Sequence, residues 1–183
     1  MIRDPDTLRR LADVLAYPGP GLAARAAECA EGLAAERPAA AGRLARFAAF
    51  ALSSSPAALE EAYTSAFDVA PLCSPYVGDQ LFGASRERSF LLSGLRELQR
   101  DAGLDPGVEL PDHVAEVLRL VAAPIPADVR EDLVRDGLAP ALEKMLAALD
   151  EARHPWADVV AAASDVLDAR ADAPAARALE VSP

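Results

Sequence analysis

The sequence predicts an all-α protein: a single-domain bundle of about eight helices over residues 1–183, interrupted by one long irregular segment near residues 68–84. Three observations predict it. The chain is 52% hydrophobic but only 5% aromatic, and alanine supplies much of the apolar fraction, which suits closely packed helices better than sheets. Valine is present, yet no run of it alternates over strand length. Cap-plus-proline pairs recur just ahead of apolar stripes at helical spacing.

Taken in order, Asp4-Pro5 supplies a cap and a proline at the first helical position. Leu8, Leu11 and Leu15 form one face of that helix, and Pro18-Gly19-Pro20 ends it. A second helix is expected over Gly21–Glu36. Pro38 starts a third, with Leu44, Phe47 and Ala51 on its apolar face. Ser55-Pro56 repeats the cap signature ahead of a stripe of Leu59, Tyr63 and Phe67. Beyond the irregular segment, Ser85 caps a helix carrying Phe90, Leu91, Leu95 and Leu98 that Gly103 stops. Pro111 opens the next, with Val114, Val117, Leu118 and Val121 at i, i+3, i+4 and i+7. Pro126 opens a longer one, expected to kink or break near Gly137 and Pro140, whose second half carries Leu142, Met145, Leu146 and Leu149. His154-Pro155 begins the last, with Val159, Ala163, Val166 and Leu167 in line, and the tail after Arg170 is expected to fray.

The irregular segment stands out by composition. From Phe67 to Gly83 it holds Phe67, Tyr76 and Phe82, Cys73, Pro71 and Pro75, and the pair Gly78-Asp79. Unstructured loops of that length are uncommon in compact domains and tend to be functional. Its aromatics predict an ordered stretch containing a short helical turn.

Charge narrows the partners. A net charge of −11 repels a phosphate backbone and argues against nucleic acid, whereas a basic peptide is attracted and steered. Solubility alone also explains an acidic surface. Cys29 and Cys73 lie far apart, in no metal-like spacing, as expected of reduced cytosolic thiols. The first residues carry acids and no signal-peptide core, and no window reads as a membrane span. A cytoplasmic protein without stable membrane insertion is expected.

Catalytic patterns are thin. Neither histidine, His113 or His154, stands in a nucleophilic-triad context, and no glycine-rich phosphate loop is present. Glu109, His113 and Glu116 fall at i, i+4 and i+7, and two carboxylates with an imidazole can ligate a metal. Against that, a di-metal carboxylate bundle draws on several helices with two Glu-x-x-His pairs, a pattern this chain does not match. Pro111 also places Glu109 ahead of the helix. The plainer reading is a polar helix start, with Asp112 favouring the dipole and His113 bonding locally. Neither a metal nor a cofactor is expected. Tyr63 and Phe67 read as core stripe residues, while Tyr76 and Phe82 read equally well as core or as contact surface. Cys73 reads as a small buried filler, with nothing nearby in sequence to lower its pKa.

Several of these stretches together resemble a known family. "AYTSAFD" with Tyr63, Phe67 and Asp68, then Gly78-Asp79, then "ELPDHVAEVL" with Glu109, Asp112, His113 and Glu116, follow in the order seen in the NarJ/TorD/DmsD group of molybdoenzyme assembly chaperones. "LADVLAYPGPGL" is similar to the opening of such chaperones, so the resemblance runs over roughly residues 8–170 and is nearest the nitrate reductase delta-subunit branch. The continuation Gln80-Leu81-Phe82-Gly83 differs from the Arg-Gly usual in that branch. The client is therefore open among nitrate reductase and relatives acting on dimethyl sulfide, a hydrocarbon, selenate or chlorate.

The resemblance implies an all-helical protein without enzymatic activity. It implies binding of the N-terminal peptide, a twin-arginine signal or its remnant, of an apo molybdenum-cofactor oxidoreductase catalytic subunit, held until the cofactor is inserted. It also implies a monomer or a helix-exchanged dimer. In this chain Tyr63, Phe67, Tyr76 and Phe82 would supply apolar and aromatic contact. Asp68, Asp79, Glu109, Asp112 and Glu116 would meet the peptide's arginines by charge-assisted hydrogen bonds, and His113 would belong to the same peptide-binding set. Two other readings stand beside it: a helical adaptor unrelated to redox enzymes, and a metal-dependent enzyme using His113.

Overall fold

The computed structural model describes residues 5–168, so Asp4 and the tail after Arg170 lie outside the described residues. Helices α1 (Pro5–Leu15), α2 (Leu22–Leu33), α3 (Pro38–Ser53) and α4 (Pro56–Phe67) come first. A short α5 (Val77–Phe82) lies inside the irregular segment and precedes α6 (Arg86–Asp101) and α7 (Val114–Val121). Then α8 (Ala127–Asp132), a π-helical segment (Leu133–Leu138) and α9 (Ala139–Glu151) run on as one helical stretch, and α10 (Trp156–Leu167) closes the described chain. Among the described residues there is no strand, only an isolated antiparallel bridge between Tyr76 and His113. None of the described helices is long and apolar enough to cross a membrane.

Local chemistry explains the boundaries. The Ser55 hydroxyl accepts the Ala58 N–H at 3.2 Å and Ser85 accepts the Arg88 N–H at 3.3 Å, capping α4 and α6 as their sequences suggest. The long helix expected from Pro126 does not break. Pro140 has no N–H to give to the carbonyl four residues back, and the Ala139 N–H bonds to Val134 O, five residues back, so one widened turn absorbs the defect. Helix α7 starts later than Pro111 suggests: His113 is its N-cap, with the ring Nδ1 accepting the Ala115 N–H at 3.2 Å. Asp112 therefore precedes the cap instead of occupying the first turn.

The core forms where α10 packs against α3, α9 and α1, with α2 against α3 and α1, and α7 against α1. Val159, Val160, Ala162 and Ala163 of α10 are wholly buried. So is Trp156, whose ring meets Phe47 at 4.8 Å, Tyr63 at 5.6 Å and Phe67 at 6.4 Å between centroids. The aromatic end of α4 is thereby fixed to the start of α10, which sets where the irregular segment leaves the core.

Candidate functional site

Residues 68–76 leave α4 and run to the loop ahead of α7, where two backbone bonds fasten them. The Val77 N–H donates to Asp112 O at 2.7 Å and the Val114 N–H to Pro75 O at 2.9 Å. That pairing brings α5 against Asp112. Gly78 permits the approach, since a β-carbon there would lie 2.8 Å from Asp112 Oδ2 and 3.0 Å from side-chain atoms of Arg88 and Leu91.

Arg88, from the first turn of α6, reaches into the junction. Its Nε donates to Asp112 Oδ2 at 3.0 Å, its Nη1 donates to Asp79 Oδ1 at 3.1 Å, and its guanidinium carbon lies 5.4 Å from the Tyr76 ring centroid. The Asp112 side chain is 0% exposed, and its Oδ1 has no partner. In this structure, then, the arginine that Asp112 and Asp79 meet is Arg88. Nothing in the periodicity of the sequence singled Arg88 out.

His113 carries a second chain of bonds. Because its Nδ1 accepts from Ala115, the ring proton belongs on Nε2, which lies 3.3 Å from the Tyr63 hydroxyl; that hydroxyl in turn donates to Leu15 O at 3.4 Å. Burial pushes the imidazole down to about 4, against the opposing pull of Glu109, with Arg119 adding to the depression. Burial also raises the Tyr63 phenol well above its ordinary value. Tyr76 packs edge-on to His113 at 5.4 Å and donates to Glu109 Oε2 at 2.9 Å; burial, then Glu109, pushes its phenol up to about 12.

Both ring nitrogens of His113 are thus engaged, and Glu116 pairs with Arg119, which also bonds Asp13 at 2.8 Å. Among the described residues no three His, Cys, Asp or Glu side chains are grouped to hold a metal. Cys73 is buried, with its thiol pushed up to about 11 by desolvation.

The residues singled out from the sequence therefore fall into three groups. Tyr63, Phe67, Asp112, His113 and Glu116 are buried; Tyr76, Asp79 and Glu109 are half-buried; Asp68 and Phe82 are exposed. Asp68 and Glu109 have no cation partner among the described residues. On the other side of α5 lies a feature that sequence reasoning missed. An apolar groove of about 290 Å³ runs between α5, α6, α7, α8 and the π-helical segment. Val77, Leu81, Phe82, Leu91, Leu95, Val117, Val129 and Leu133 line it, with Asp132, Asp136 and Gly137 along one side. Leu91 and Leu95 were legible as an α6 stripe, but a stripe does not say which part of it stays uncovered.

The family model described as nitrate reductase delta subunit matches residues 30–162, a span that contains the junction and the groove. No curated protein matches the chain.

Proposed function

The chain belongs to the nitrate reductase delta subunit family, whose members are molybdoenzyme assembly chaperones, and from that premise we propose that it binds the N-terminal peptide of an apo molybdenum-cofactor catalytic subunit and holds the subunit for cofactor insertion. The observation that carries the reading is the groove. It is apolar and open, and one wall is the short helix of the irregular segment. Its size suits one or two large side chains from the apolar face of an amphipathic peptide, the helix-in-groove mode of recognition. The net charge of −11 draws basic segments toward it.

Within this reading the residues divide their work. Phe82 and Leu81 form the rim, and Val77, Leu91 and Leu95 the apolar wall. Asp68 and Glu109, the carboxylates without a cation partner, receive arginines, with Tyr76 beside Glu109. Asp79 and Asp112 hold the wall through Arg88, while Tyr63, Phe67, His113 and Glu116 brace the base on which it stands.

Calorimetric titration with the N-terminal peptide of the cognate catalytic subunit, beside a scrambled peptide of equal charge, tests the proposal. The native sequence alone should saturate the protein. Leu91→Glu, a charge set into the groove wall, should weaken binding by about a hundredfold or more, as expected when a carboxylate is forced into an apolar contact. Equal binding of both peptides would reduce the acidic surface to nonspecific attraction and favour the adaptor reading.

A further inference from the structure

We propose that the side of the groove formed by Asp132 and Asp136 is a guanidinium-reading lip, screened in the free protein by Arg135, where the arginine of a docked peptide replaces the chain's own. This rests on the peptide-binding reading above and assigns it a register. The apolar groove comes first: Leu133 and Leu91 line it, and Asp132 and Asp136 line it too. An apolar side chain seated there therefore has two carboxylates within one helical turn of it.

The chain's own arginine gives the spacing. Arg135 Nη2 donates to Asp132 Oδ1 and to Asp136 Oδ2 at 2.6 Å each, while Nε donates to Asp136 Oδ1 at 2.8 Å. One guanidinium thus bridges both carboxylates with a fork–fork geometry on Asp136. The widened turn at Leu133–Leu138 carries all of this lip except Asp132, which immediately precedes it. The three side chains are between 63% and 65% exposed. The bidentate geometry makes this pair stronger than an ordinary surface pair, but all three groups stand in water, which screens them and lets a second guanidinium compete. An incoming arginine tethered to an apolar anchor in the groove has a high effective concentration at the lip, which a free cation lacks. Even with Arg135 in place, two carboxylates against one guanidinium leave the lip net negative.

The occupant is therefore an amphipathic peptide with an arginine about one turn from a large apolar side chain. The probe is the cognate N-terminal peptide in two forms, with arginine or its neutral isostere citrulline at the one position about a turn from the apolar anchor and every other arginine kept, titrated against wild type, Asp132→Asn/Asp136→Asn and Arg135→Gln. In wild type, citrulline should weaken binding about tenfold, the scale of a lost charge-assisted pair. In Asp132→Asn/Asp136→Asn that difference should vanish, with the citrulline form bound as before. Arg135→Gln should tighten the arginine form about two- to fivefold and leave the citrulline form unchanged. The substitutions are on the surface, and urea unfolding checks that each variant keeps its stability.

An undiminished arginine preference in Asp132→Asn/Asp136→Asn would overturn the proposal and send the arginine to Asp68 and Glu109. Equal weakening of both forms by Arg135→Gln would overturn the screening role. If neither form binds wild type, the parent reading fails and this one with it. If Leu91→Glu binds like wild type, the apolar anchor is not seated in this groove, and the register proposed here is overturned even where the arginine preference stays.

Discussion

Arg88→Met isolates the buried ion pair that holds α5. In the wild type the Arg88 side chain is 19% exposed and joins Asp112, at 0%, to Asp79, at 35%. Methionine keeps much of the stem that packs at this junction but removes the Nε donor, so that neither oxygen of a wholly buried carboxylate has a partner. Breaking a buried pair this way costs about 3–5 kcal/mol. Because Asp79 lies near water and Arg88 is partly wet, the low end, about 3 kcal/mol, is expected. That is a large share of the roughly 5–15 kcal/mol that holds a domain folded. The backbone bond from Val77 to Asp112 O does not depend on either side chain, so α5 should loosen before it detaches. Urea unfolding followed by the fluorescence of Trp156, the one tryptophan and wholly buried, reads the cost. A second variant, Arg88→Met with Asp112→Leu, should recover most of it, to within about 1 kcal/mol of wild type, because an apolar pair leaves no stranded charge. The reasoning is refuted if Arg88→Met costs less than about 1 kcal/mol, or if the double variant is as unstable as the single.

Two further outcomes are expected. His113 has a folded-state pKa of about 4, below its ordinary value, so the unfolded chain takes up its proton first and stability drains away as pH falls from about 6.5 toward 4. Urea unfolding should show wild type losing about 2 kcal/mol more than His113→Gln between about pH 7 and pH 5, and parallel curves would refute the buried neutral imidazole. Cys73, with its thiol pushed up to about 11 and its side chain buried, should resist alkylation in the native state at neutral pH and react once urea unfolds the chain.

The helices were legible because their signals are local. Ser55-Pro56 and Ser85 cap α4 and α6 by bonds to N–H groups three residues away, and any sequence window contains both partners. The irregular segment and its helical turn could be read for the same reason, from Gly78-Asp79 amid aromatics. Asp112 could not be placed this way. Following Pro111, it has the look of a first-turn acid, and only a pairing with Arg88 across 24 residues makes it a buried anchor. Trp156 hides similarly beside Pro155, where position in a helix gives no hint that four aromatic rings from α3 and α4 close around it. The groove was invisible because it is made by what fails to cover Leu91 and Phe82, and that is decided by α5, α8 and the π-helical segment. Gly137 and Pro140 did announce a defect. Its form, a widened turn in a continuous stretch, depends on α9 finding its packing against α10 despite the missing N–H.

Junction and groove meet in α5, and the two tethers on that helix are unequal. Its N-terminal end is fixed by the Val77–Asp112 backbone bond and by Arg88 bonding Asp79 and Asp112, in surroundings where unpairing is costly. Its C-terminal end is held by Lys144, the one lysine of the chain, which donates to Gln80 O at 2.7 Å from an exposed position on α9. An exposed charged donor to a carbonyl in contact with water is readily exchanged for solvent. Hydrogen exchange should therefore find the amides of Leu81 and Phe82 less protected than that of Val77, which is bonded to Asp112 O, and equal protection along α5 would refute the unequal tethering. Phe82 at the rim of the groove is exposed, whereas Leu95 and Val117 at its floor are buried with the core.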